Sequence, residues 1–80
     1  MKTSLAFGLV LRRIRKNIGL TQEELGFEAE IRRTFISLLE LGQQQPSLAT
    51  IFKLSEALKT PPSVLIKMVE DELNLMHIAD

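Results

Sequence analysis

The chain has 80 residues, with 10 Lys+Arg balanced by 10 Asp+Glu, 45% hydrophobic residues and no cysteine. That length means one domain burying only about 60% of its unfolded surface, and the composition excludes disordered and collagen-like chains. Zero cysteine excludes a disulfide scaffold, a thiol nucleophile and the usual structural zinc sites, while the absence of a signal-peptide pattern or of an apolar run near the roughly 18 residues of a membrane span points to a cytoplasmic protein with no membrane partner.

The pattern reads as all-α. A first helix is expected over about Ser4 to Ile18, where Phe7, Leu11, Ile14 and Ile18 recur at helical spacing and Gly19 stops the run. The second has the clearest start in the chain: Thr21 and Glu24 form a T-x-x-E capping box, and Leu20 and Leu25 flank it as a hydrophobic staple. It reaches about Glu28 or Ala29. A third follows over about Arg33 to Leu41, with Ile36 and Leu39 facing the core and Gly42 as its stop. Ser47 caps a fourth that ends near Lys59 and carries Leu48, Ile51, Phe52, Ser55 and Leu58 at 3–4 spacing. Thr60-Pro61-Pro62 breaks it, and Pro62 suits the first position of a fifth helix reaching Leu73 to Leu75.

The second and third helices, with a short turn between them, have helix-turn-helix spacing (about residues 21–41). Such a pair lays its second helix in the DNA major groove while the first crosses the backbone. Gly26 gives up helix propensity mid-helix, which points to close packing against the third helix. The zero net charge is no objection to DNA, because it is unevenly spread. From Met1 to Arg33 seven basic residues face four acidic ones, net +3; from Thr34 to Asp80 three face six, net −3.

Ile14-Arg15, Gly19-Leu20-Thr21-Gln22-Glu23-Glu24-Leu25-Gly26, Ile31, Ile36-Ser37, Glu40-x-Gly42, Pro46-Ser47-Leu48, Leu54 and Ala57-Leu58 together resemble the Cro/phage-repressor (XRE-type) helix-turn-helix family over about Val10 to Leu65. Within it, Arg33-Thr34-Phe35-Ile36-Ser37 is most like the recognition helix of the small controller proteins of restriction–modification systems. The resemblance implies a five-helix bundle of the lambda-repressor-like type. Such a protein is a transcriptional regulator that binds a double-stranded DNA operator as a homodimer and, in a controller, contacts the RNA polymerase sigma subunit.

On that reading Arg33 can donate twice to guanine and Thr34 can meet thymine or a polar edge. Phe35 either touches a thymine methyl or fills the core; Ser37 and Leu38 lie one turn further along the exposed side. The resemblance gives Gln22 a phosphate contact at the helix N-terminus, with Thr21, Arg32, Gln43 and Gln45 as further phosphate-side residues and Arg12, Arg13 and Lys16 as candidates on the first helix. It also implies a structural salt bridge between Arg15 and Glu40. Three departures from the family pattern are expected to weaken the domain or its DNA contacts. Glu30 replaces the turn glycine, Arg32 replaces a Ser or Thr cap, and Leu41 with Gln43-Gln44-Gln45 replaces basic residues.

The fifth helix (about 62–75) carries Val64, Leu65, Met68, Val69 and Leu73, with Leu75, Met76 and Ile78 beyond. That is more apolar surface than four small helices cover, and it is expected to dimerise, with core packing as the competing claim on Leu65 and Val69. No catalytic constellation is present. His77 is the single histidine, and Glu70, Asp71 and Glu72 point in different directions on a helix, so neither an enzyme, a metal site nor a cofactor is expected. Two other functions compete: an antitoxin or phage-type repressor, and a protein-interaction module such as an anti-repressor that retains the fold without DNA.

Overall fold

The computed structural model describes residues 2–79, with 78 and 79 by their backbone alone. The described residues form α1 (Lys2–Asn17), α2 (Gln22–Ala29), α3 (Arg33–Glu40), α4 (Leu48–Ala57) and α5 (Pro62–Ala79), and contain no strand. α1 is the central element, packed on α3 and α5; α2 lies between α3 and α4. Among the described residues, thirteen side chains make the core, twelve from the five helices and Leu58 from the cap just after α4, with Leu11, Leu25, Ile36, Leu39, Leu54, Leu58 and Leu65 excluded from water.

Two glycines set how closely the elements meet. A Cβ on Gly8 would lie 2.6 Å from the carbonyl oxygen of Glu40 and closer still to that of Leu39, so α1 and α3 cross at backbone contact. Gly26 faces the turn: a Cβ there would come within 2.5 Å of the Ile31 carbonyl oxygen. The close approach at Gly26 is therefore that of the turn entering α3, with α3 itself further off.

Helix ends follow local chemistry. Gly19 and Gly42 take positive φ (80° and 74°) after α1 and α3. The capping box at Thr21 is complete, with Glu24 N–H donating to Thr21 Oγ1 at 3.0 Å and Thr21 N–H to Glu24 Oε1 at 2.8 Å. Ser47 Oγ accepts from Thr50 N–H at 3.1 Å.

Several expectations need correction. α1 starts at Lys2 and ends at Asn17, so Ile18 falls in the turn before Gly19 and is exposed. α4 ends at Ala57, and Leu48 and Phe52 point to solvent; Leu54 takes the central core position. α5 runs well past Leu75, to Ala79, because its last turns contain no Gly or Pro to stop them. Leu65 and Val69 are 0% and 6% exposed. Both belong to the core, as the competing reading of these two residues has it, while Met68 and Leu73 are half-buried against that core. Val64 alone among the five expected dimer residues is clearly exposed. The Ile78 side chain lies outside the described residues.

Candidate nucleic-acid interface

The site is assembled from the start of α2, the turn after it and the first turns of α3. Glu30 closes α2 at φ 56°, ψ 45°, the left-handed conformation that glycine fills with less strain. Its N–H bonds the Phe27 carbonyl at 3.3 Å, and Ile31 N–H bonds that of Gly26 at 2.8 Å. The turn therefore forms without glycine, because these two bonds and the buried Leu25, Gly26 and Ala29 hold it. Arg32 occupies the cap position of α3 in extended conformation and makes no side-chain cap bond, as its donor-only guanidinium requires.

Arg32, Arg33 and Thr34 are exposed. No ion pair engages the guanidinium of Arg32 or Arg33 among the described residues. Phe35 is half-buried against the core cluster, which places much of its ring among apolar neighbours. Ser37 and Leu38 are half-buried and Gln43, Gln44 and Gln45 exposed. Arg15, Thr21, Gln22, Glu23 and Arg33 line a depression of about 360 Å³ at the head of α2.

Beneath it lies the ion pair expected between Arg15 and Glu40. Arg15 Nε donates to Glu40 Oε2 at 2.5 Å and Nη2 to Oε1 at 3.0 Å, a two-point geometry that pins α1 to α3. Arg15 Nη1 also donates to the Leu20 carbonyl at 2.7 Å, tying in the entrance to α2. The hydrogen bond with Glu40 holds the Arg15 guanidinium above its ordinary pKa, against the opposing effect of burial. Gln22 Nε2 donates to Glu40 Oε1 at 3.1 Å, a contact 18 residues apart that sequence spacing does not signal.

On α1, Arg12 and Lys16 are exposed, but Arg13 is committed elsewhere: its Nη2 pairs with Glu72 Oε1 on α5 at 2.8 Å. Sequence reasoning missed this strut because 59 residues separate the partners. It also missed Phe27, which stands 84% exposed on the outer face of α2. A depression of about 450 Å³ there is lined by Leu20, Glu23, Glu24, Phe27 and Glu28.

The helix-turn-helix family pattern matches residues 11–65. Control protein C.BamHI from Bacillus amyloliquefaciens is 41% identical over 63 residues, 78% of each chain. The solved restriction–modification controller protein C.AhdI from Aeromonas hydrophila is 39% identical, covers 78% of this chain and 94% of its own, and superposes with a TM-score of 0.76. A variant of the controller protein C.Esp1396I, solved bound to its highest-affinity operator site, is 25% identical with a TM-score of 0.84 over 91% of this chain and 96% of its own. No helix among the described residues is long and apolar enough to cross a membrane. The chain belongs to the helix-turn-helix family of DNA-binding transcriptional regulators, of the restriction–modification controller type.

Proposed function

We propose that the protein is a cytoplasmic regulator that binds a palindromic DNA operator as a homodimer and controls transcription from a neighbouring promoter. The observation that carries this is the free, exposed Arg33 beside Thr34 at the start of α3, next to the head of α2. Arg33 reads guanine through two donors and Thr34 contacts the adjacent base. Thr21, Gln22, Arg32, Gln43 and Gln45 follow the phosphates, and Ser37 and Leu38 flank the groove. Phe35 serves the core and touches DNA at most by its ring edge.

Dimerisation uses the outer flank of α5, with the exposed Val64 and Leu75 and the half-buried Met68 at helical spacing. A symmetric pair would set two α3 helices about 34 Å apart on one DNA face. Phe27 with Glu23, Glu24 and Glu28 would suit a contact from DNA-bound protein to a basic protein surface, with a polymerase sigma subunit as the proposed partner.

Selection from a random duplex library tests the central reading. The expected product is a two-fold symmetric sequence with half-sites one helical turn apart. Arg33→Ala should weaken its binding by about 1–3 kcal/mol and relax the preference at one base pair per half-site. No retention of DNA at low salt would remove the DNA function and leave the interaction-module alternative; an Arg33→Ala variant that binds DNA like the parent would remove Arg33 from the base contacts.

A further inference from the structure

Glu40 is expected only to balance Arg15, yet it does more. Its side chain is 4% exposed, and all three of its hydrogen bonds are accepted from charged or amide donors. Oε2 takes Arg15 Nε; Oε1 takes both Arg15 Nη2 and Gln22 Nε2. An ionised carboxylate is acceptor-only, so it dictates which end of the Gln22 amide faces inward: the nitrogen. One N–H of that nitrogen is spent on Glu40 and the second remains for a ligand. A free glutamine has one of the larger side-chain entropies to lose on being ordered. Here that loss is met during folding, by a group fixed in turn through Arg15 to α1 and to the Leu20 carbonyl.

We propose that Glu40 is a positioning residue for operator binding: it presets the Gln22 amide so that its remaining N–H meets a phosphate at the head of α2. The α1–α3 ion pair and the phosphate contact then act as one unit. This rests on the reading of Gln22 as a phosphate ligand, and the tests separate the two claims.

The first variant is Arg15→Met/Glu40→Leu, which replaces the ion pair by apolar residues of similar bulk, an exchange often neutral or stabilising. The second is Glu40→Asp, which keeps the charge but withdraws the carboxylate from Gln22 by one methylene. Thermal melting reports folding. Side-chain amide resonances then report Gln22, with the exposed Gln43 and Gln44 as internal references. In the parent, the Gln22 pair should stand apart from these references; in both variants it should move onto them.

Binding to the library-selected duplex should fall about tenfold in either variant, the order expected for ordering one glutamine on binding. Gln22→Ala should cost about tenfold in the parent and little in the Arg15→Met/Glu40→Leu background. The positioning role is overturned by parent amide signals that coincide with the loop glutamines. Undiminished binding by a folded variant overturns it too, as does an equal Gln22→Ala cost in both backgrounds. If Gln22→Ala is harmless in the parent while its amide stands apart, Gln22 is no phosphate ligand and Glu40 positions nothing for DNA.

Discussion

α2 and α3 have the same length, eight residues, and are held by opposite means. α2 has its own start signal: both halves of the capping box are made by residues within four positions of each other. α3 has none. Its cap residue is Arg32, its side chain makes no cap bond, and its first turn carries no acidic residue to favour the dipole. What keeps α3 helical is Ile36 and Leu39, both fully buried, and the Glu40 grip on Arg15. One helix is encoded locally and the other by what it packs against. The helix left uncapped is the one proposed to enter the groove, where its bare N-terminal groups and free guanidinium are available to a ligand.

This contrast is best broken at the core. Ile36→Ala should cost about 2–5 kcal/mol in urea denaturation, because it removes a packed side chain from a helix with no local support. A loss under about 1 kcal/mol would mean that α3 has stability of its own. Thr21→Ala, which removes half the capping box of α2, should cost about 1 kcal/mol in the same assay and leave α3 in place.

Arg32→Ser sharpens the comparison from the other side. A hydroxyl at the cap of α3 should stabilise the protein by about 0.5–1 kcal/mol in melting experiments while weakening operator binding through the lost cation. Stability and affinity moving together would contradict the division of labour between these two helices.

The smallest effect is expected from alkali. Arg15 is held above its ordinary guanidinium value by its hydrogen bond to Glu40, so its contribution is fully present below that ordinary value and is lost only as pH rises through the still higher folded one. Melting temperature should therefore show no decline due to this pair between about pH 7 and about pH 10. A loss centred in that window would assign the titration to another group.

Local signals were legible wherever neighbouring residues supply the whole cause. The Thr21/Glu24 box, the Ser47 cap and the Gly19 and Gly42 stops all appear as read from the chain. Apolar spacing was less reliable at helix edges. Phe52 and Leu48 share the apolar character of Leu54, but the side of α4 that meets α2 and α5 decides which is buried. The same holds on α5, where Leu65 and Val69 turn inward and Val64 outward. Periodicity finds an apolar stripe but not where a neighbour stops covering it. In the site, the exposure of Arg33 and Thr34 followed from their place at the start of α3. The engagement of Gln22 by Glu40 did not.

Glu30 shows the limit most clearly. On local grounds a glutamate disfavours the left-handed turn, yet the turn forms at φ 56° because the packing of α2 against α3 and two backbone bonds outweigh a strain of about 1 kcal/mol. By itself the sequence determined five helices, their caps and the family, since each depends on residues close together or in fixed order. Only the tertiary structure decided which apolar residues remain outside, that Arg13 joins α5 and that Glu40 holds Gln22. Those outcomes depend on contacts between residues 18 to 59 positions apart, whose geometry no local rule contains.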